Sequence, residues 1–251
     1  MVDQPDYSRT YSSIEKSENI IPTVKEFLEK NPDEFLYQIG LFTNRQILAR
    51  FLFFKEMYSH IKNIHGNVAE FGTRWGQNII WMENLRGLIE PYNHNRRFLA
   101  FDTFSGFPGT DNKDGTSKLI GKGGYGMGWE NYDLVLERLL KHHENQSPIS
   151  HIKKFKIIKG DVNETLPLYI DKNPHTIFAL AYFDMDLYKP TLESLKIIIK
   201  RMPKGGVIGF DELNHENFPG ETEAFLEIFG GNLPKLYRSE FSPHTSYIII
   251  E

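Results

Sequence analysis

The chain has 251 residues, 40% of them hydrophobic and 25% charged, with a formal net charge of -4 and no cysteine. The missing cysteine excludes disulfides and thiolate metal sites, and the weakly acidic charge disfavours nucleic acid or an anionic membrane as a partner. The sequence contains no apolar run of about 18 residues that would predict a membrane span. Residues 1–20 predict a polar, mobile arm and not a signal peptide, so a cytoplasmic location is expected.

Two helical patterns come first in the chain. Pro22 and Thr23 open a short helix through Glu29, and Thr43 is the predicted N-cap of a longer helix over residues 44–64. We treat residues 1–65 as an N-terminal arm and helical extension.

Strands and helices alternate from residue 66 onward. Strands are predicted at 68–71, 97–101, 155–159, 178–183 and 206–210, helices at 77–88, 130–145, 191–201 and 220–229 and in a stretch ending at Tyr169, and an antiparallel pair at 235–239 and 246–250. A long loop over 105–128 is predicted to be either a functional lid or a partly disordered segment. This order predicts an α/β fold with a doubly wound, mostly parallel, seven-stranded sheet, and residues 66–251 form one domain.

Every parallel strand is followed by a carboxylate, and ligands of such sheets bind beyond these strand ends. The residues are Glu70, Asp102, Asp161, the pair Asp184 and Asp186, and the pair Asp211 and Glu212. Acidic residues are poor strand formers, so their repetition at this edge indicates a binding site.

The first turn has Gly72 and Gly76 where a pyrophosphate turn would have three glycines. Glu70 before it favours a cationic ligand group, and a purely structural turn is the alternative. Asp102 is placed to accept ribose hydroxyls or to cap a turn. Asp161 is placed to reach an adenine amino group or to N-cap the next helix.

The two acidic pairs follow what we predict to be neighbouring buried strands. Converging carboxylates resist ionising unless a cation neutralises them, and Mg²⁺ is the natural oxygen-ligated metal. Solvated carboxylates that cap two loops are the alternative. His215 either lines a substrate pocket or lies in an exposed loop, and Lys118 and Lys122 are either solvated or meet a phosphate.

Several motifs together resemble the macrocin O-methyltransferase family over about residues 66–229. They are Glu70-x-Gly72-x-x-x-Gly76, DTFSGFP at 102–108, DMDLY at 184–188, GGVI at 205–208 with Asp211, and FPG at 218–220 with Ala224 and Phe225. A more distant likeness to catechol O-methyltransferases favours the same metal placement.

The resemblance implies a class I, Rossmann-like methyltransferase that uses S-adenosylmethionine and a divalent metal. Glu70, Gly72, Thr73 and Gly76 would hold the amino-acid part of the cofactor, Asp102 its ribose beside Thr103 and Phe104, and Asp161 its adenine. Asp184, Asp211 and Glu212 would be metal ligands, and Asp184 would also line the cofactor site. Asp186 would be the general base. The family usually has Asp where this chain has Glu212.

The expected reaction is methyl transfer to a hydroxyl of a sugar or glycosylated natural product, such as a glycoside or a nucleotide sugar with a vicinal diol. A homo-oligomer is left open. Three alternatives compete: a haloacid-dehalogenase-like phosphatase, because 181–186 is an apolar strand with DxD; a non-catalytic methyltransferase-like binding module; and an NAD oxidoreductase, which the missing GxGxxG disfavours.

Overall fold

A computed structural model describes residues 20–117, 120–242 and 244–251. The described residues form eight α-helices: α1 Ile21–Lys30, α2 Pro32–Phe35, α3 Arg45–Ile61, α4 Gln77–Ile89, α5 Tyr132–Asn145, α6 Val162–Lys172, α7 Tyr188–Ile198 and α8 Gly220–Phe229. They also form seven strands: β1 Asn67–Phe71, β2 Phe98–Asp102, β3 Phe155–Lys159, β4 Phe178–Phe183, β5 Val207–Phe210, β6 Tyr237–Arg238 and β7 Ser246–Ile249.

The strands form one sheet in the order β3-β2-β1-β4-β5-β7-β6. The first five are parallel, and β7 pairs antiparallel with both β5 and β6. All six residues of β4 are buried, as expected for a central strand covered on both faces. The predicted doubly wound, mostly parallel sheet of seven strands is therefore confirmed.

Alternate residues of the strands face two separate apolar layers. On one face, Val68, Leu180 and Tyr182 pack with residues of α3, α4 and α5. On the other, Ala69, Ala181 and Phe183 pack with residues of α6, α7 and α8. Because the first five strands are parallel, their carboxyl ends lie at the same edge of the sheet.

The chain divides into two compact units, residues 1–48 and 49–251. In the described part of the first, the rings of Phe27, Phe35 and Phe42 cluster, with centroids 5.4–6.5 Å apart. The second holds the whole sheet. The predicted mobile arm at residues 1–20 lies outside the described residues except for Ile20, and the predicted domain division at residue 65 stays a prediction. None of the described helices is both long and apolar enough to cross a membrane.

One predicted N-cap is wrong. The Oδ1 of Asn44 accepts the backbone N–H of Ile47 at 2.9 Å, whereas the Thr43 hydroxyl donates to the carbonyl of Ile39 at 2.9 Å. Asn44 therefore caps α3, since a cap residue accepts from the third helical residue. Helix α7 also begins at Tyr188, three residues before the predicted start, because Pro190 is tolerated in a first helical turn.

The predicted lid loop is anchored to the sheet domain. Within it, residues Asn112–Asp114 form a 3₁₀ turn, and the buried Asp114 carboxylate accepts the backbone N–H groups of Tyr188 at 2.6 Å and Asp111 at 2.5 Å. This contact ties the loop to the first residue of α7. Lys118 lies outside the described residues, and Lys122 is exposed.

Candidate active site

Backbone strain is concentrated at the carboxyl edge of the sheet. A non-glycine residue with positive φ follows each of the strands β1, β2, β4 and β5: Arg74 (48°), Phe104 (55°), Asp186 (61°) and Asn214 (64°). Left-handed non-glycine residues persist only where the surrounding structure holds them, and they cluster at functional sites. The strained residues mark the same edge as the carboxylates.

Glu70 is a fully buried carboxyl near the end of β1. Neither of its oxygens accepts a hydrogen bond of normal geometry among the described residues, although Asn78, Arg50 and the backbone N–H of Ile79 act on it. Burial outweighs these groups and raises the pKa of Glu70 to about 8, so ionising it is costly until a further cation or donor reaches it. Glu70 is therefore suited to receive a cationic ligand group.

The turn after β1 needs its glycines. Gly72 has φ +89°, and a Cβ there would lie 1.8 Å from the carbonyl oxygen of Asp184. Gly76 has φ +80° and precedes α4, and a Cβ there would strike Leu136. The turn thus packs against the end of β4, as the alternative of a purely structural turn requires. The buried Thr73 hydroxyl beside it has no partner among the residues described.

Asp102 joins two loops at the end of β2. Its Oδ2 accepts the backbone N–H of Arg74 and its Oδ1 that of Phe104, both at 2.6 Å. Thr103 donates its hydroxyl to the carbonyl of Gly106 at 2.7 Å, which closes the second loop. The turn-capping alternative for Asp102 is therefore present, and each carboxylate oxygen retains a lone pair for another donor.

Asp161 N-caps α6. Its Oδ1 accepts the backbone N–H of Asn163 at 2.9 Å, with extended backbone at Asp161 itself. The N-cap alternative is confirmed, and the adenine contact stays a prediction. His215 is half-buried, with its ring centroid 5.5 Å from that of Phe218.

The ends of β4 and β5 carry the acidic pairs, and an arginine from α3 bridges them. Arg50 Nη2 donates to Asp184 Oδ2 and Nη1 to Asp211 Oδ1, each at 2.7 Å, and Nε donates to Asn78 Oδ1 at 3.0 Å. The Tyr182 hydroxyl donates to the same Asp211 oxygen at 2.5 Å. The predicted convergence of the two strand ends is thus confirmed.

A second set of carboxyl groups lies beside the first. Burial and the neighbouring charge of Asp186 raise the pKa of Glu212 to about 11 and that of Glu221 to about 8. Glu221 is fully buried in the first turn of α8, and it accepts the backbone N–H groups of Met185 at 3.1 Å and Glu212 at 3.4 Å. Five carboxyl groups therefore act on one another at this edge, and two of them pair with the Arg50 guanidinium.

Arg50, Tyr182 and Glu221 are site residues that the sequence analysis missed. A signal existed for two of them. Arg50 precedes the buried residues Phe54 and Met57 by four and seven positions, and Glu221 precedes Ala224 and Phe225 by three and four, so both charges lie on the buried face of a helix.

The family model for macrocin-O-methyltransferase (TylF) matches residues 49–227, well over half of the chain. The crystal structure of CalS11, described as a calicheamicin methyltransferase, is 32% identical with a TM-score of 0.86, covering 91% of this chain and 90% of that one. An apo structure of CalS11, described as a TDP-rhamnose 3'-O-methyltransferase, is 30% identical with a TM-score of 0.77, covering 91% of each chain.

The O-methyltransferase NovP is 19% identical with a TM-score of 0.59 over 80% of this chain and 79% of its own, and it supports the fold alone. No curated protein sequence matches significantly. The sheet order and these likenesses identify a class I methyltransferase fold. The phosphatase, oxidoreductase and binding-module alternatives find no support, and the chain belongs to the macrocin O-methyltransferase family as an O-methyltransferase.

Proposed function

We propose that this protein transfers a methyl group from S-adenosylmethionine to a hydroxyl of a nucleotide-linked or glycosidic sugar in natural-product biosynthesis, with help from Mg²⁺, in the cytoplasm. The observation that carries the proposal is the carboxyl edge of the sheet, where the fully buried Glu70 lies on one side of Asp184 and the acidic cluster on the other. The likeness to CalS11, a TDP-rhamnose 3'-O-methyltransferase, supports the sugar acceptor.

The residues around β1 and β2 fit the cofactor. Glu70 would pair with its amino-acid ammonium, whose charge and N–H donors would compensate the burial of this carboxyl. Gly72, Thr73 and Gly76 would line the amino-acid part, Asp102 would accept ribose hydroxyls beside Thr103 and Phe104, and Asp161 would lie near the adenine. When bound, S-adenosylmethionine supplies a methyl carbon on a positively charged sulfur.

Asp186 would be the general base. Its backbone is held in the left-handed region and it is only 8% exposed, so its carboxylate has little freedom to turn away from a bound sugar. Asp186 would take the proton of the acceptor hydroxyl as that oxygen accepts the methyl group, which would leave S-adenosylhomocysteine and a protonated Asp186.

Asp184, Asp211 and Glu212 would hold the metal, and their donor set fits Mg²⁺. All three offer hard carboxylate oxygens, and Glu212 Oε2 is buried without a partner. The arrangement is not preassembled, because no group of three acidic or histidine side chains in the described parts of the chain is spaced to hold a metal ion. When bound, Mg²⁺ supplies a positive charge that lowers the pKa of an acceptor hydroxyl, and its preference for two neighbouring oxygens favours a vicinal diol.

The proposal is tested by incubating the protein with S-adenosylmethionine, Mg²⁺ and TDP-rhamnose and following the product mass. We expect a product heavier by one methylene group, and turnover lower by about 10²–10⁴-fold in Asp186→Asn. Glu137→Gln, an exposed change on α5, is the matched control. An unchanged rate in Asp186→Asn would remove Asp186 as the base, and absence of any methylated sugar across a set of nucleotide sugars would refute the acceptor class.

A further inference from the structure

Arg50 occupies the position between two proposed metal ligands. One guanidinium donates separately to Asp184 and Asp211, which end neighbouring strands and lie 134 and 161 residues away in the chain. A guanidinium pairs with two carboxylates by its fixed fork of donors, so the two side chains are held as one unit. Arg50 is thus a built-in cation between Asp184 and Asp211.

A divalent metal and this guanidinium compete for the same oxygens. Asp211 Oδ1 already accepts from both Arg50 and Tyr182, and Asp184 Oδ2 accepts from Arg50. A dication placed a few ångströms from the guanidinium would be repelled by it. Hard cations also need several oxygens at short distance, and the bridged pair does not present them.

The charges in the cluster favour replacement of the Arg50 guanidinium by a metal cation over its departure without replacement. Asp184, Asp186, Asp211, Glu212 and Glu221 act on one another electrostatically, and Arg50 forms ion pairs with two of them, Asp184 and Asp211. The carboxylates of a buried cluster that remain ionised need a positive partner. The Arg50 side chain is 29% exposed, so it has a path to water without unpacking the core.

We propose that Arg50 is a positioning residue that holds Asp184 and Asp211 in the metal-free protein and must release them for a divalent cation to bind. The inference rests on the proposed function in one respect, the metal. Binding of Mg²⁺ and pairing of Arg50 are then mutually exclusive, and each weakens the other by the same factor.

The test is a calorimetric titration of the full chain with Mg²⁺ alone, without cofactor or acceptor. We expect Arg50→Gln to bind Mg²⁺ about tenfold more tightly than the wild type, and Arg50→Lys to fall between them because one ammonium cannot bridge both carboxylates. Lys55→Gln, which removes an exposed positive charge from the same helix, should leave the affinity unchanged.

A second measurement follows Arg50 in the wild-type protein itself. The side-chain Nε–H signal of Arg50 in the ¹⁵N spectrum of the wild type, assigned from its absence in Arg50→Lys, should shift with Mg²⁺ occupancy as the contact to Asn78 is lost. Equal or weaker Mg²⁺ binding in Arg50→Gln, or an Arg50 signal unmoved by saturating Mg²⁺, would overturn the inference alone. Absence of Mg²⁺ binding in every protein would overturn it together with the metal part of the proposed function, and binding of S-adenosylhomocysteine would show whether the rest stands.

Discussion

Glu221 Oε1 accepts the backbone N–H of Met185, the residue between the proposed metal ligand Asp184 and the proposed base Asp186, at 3.1 Å. The other oxygen of Glu221 accepts from Glu212 at 3.4 Å. One buried carboxyl on α8 therefore positions the loops after β4 and β5 through their backbones.

Replacement of Glu221 should loosen both loops. Glu221→Ala leaves two buried N–H groups without acceptors, and we expect it to lower the free energy of unfolding by about 2–4 kcal/mol and to reduce kcat more than it raises KM. Glu221→Gln keeps one acceptor oxygen and should fall between the wild type and Glu221→Ala. Thermal unfolding and steady-state kinetics measure the two effects, and a wild-type kcat in a folded Glu221→Ala protein would contradict the positioning role.

Glu83 predicts a pH dependence of stability away from the site. It is 1% exposed, and burial together with the charge of Glu144 raises its pKa to about 8. A carboxyl with a raised folded-state pKa contributes stability below its unfolded pKa of about 4.5 that is lost as pH rises through 8. Ionisation of Glu83 should therefore lower the free energy of unfolding by about 2–3 kcal/mol between pH 6 and pH 9.

Glu83→Gln should remove this contribution of Glu83 to the loss of stability between pH 6 and pH 9. Denaturant unfolding at pH 6 and pH 9 measures it, with the exposed change Glu137→Gln as the control because Glu137 forms a solvent-exposed ion pair with Lys153. Wild-type and Glu83→Gln proteins that lose equal stability over this range would show that Glu83 is ionised in the folded protein at pH 6.

Asp114 holds the 105–128 loop against α7. Because Asp114→Ala removes the acceptor of the Tyr188 N–H, we expect faster proteolysis within the loop and a KM for the acceptor raised by about tenfold, with the sheet unaffected. Asp111→Ala is the matched control, since the Asp111 side chain accepts only from Lys113 within the turn. Limited proteolysis followed by mass mapping separates them, and equal cleavage of the two variants would show that the Tyr188 contact does not hold the loop.

Local patterns in the sequence were enough to predict the strands and most helices. Strands β3 and β4 and helix α8 have the predicted bounds, because each is a short apolar or amphipathic segment between turn residues. The convergence of Asp184 and Asp211 also followed, since parallel neighbouring strands end at the same edge.

Long-range side-chain pairing could not be predicted in this way. Arg50 lies on a helix more than 130 residues before its partners, and no local spacing relates it to them. The roles of Asp102 and Asp161 were likewise left open, because a carboxylate that accepts backbone N–H groups and one that accepts ligand hydroxyls look the same in sequence. Asp102 now has both oxygens on loop backbones, so Asp102→Ala would disturb the site as a whole.

Glu70 offers the most direct test of the central claim, because it is fully buried at the proposed cofactor edge and accepts no hydrogen bond of normal geometry among the described residues. The measurement is a calorimetric titration of wild-type and Glu70→Gln proteins with S-adenosylhomocysteine. We predict one binding site per wild-type chain and an affinity at least about tenfold lower in Glu70→Gln, with no loss of thermal stability, because the variant removes the charge that pairs with the ligand ammonium. Absence of binding by the wild type, or equal affinity in the variant, would contradict the account.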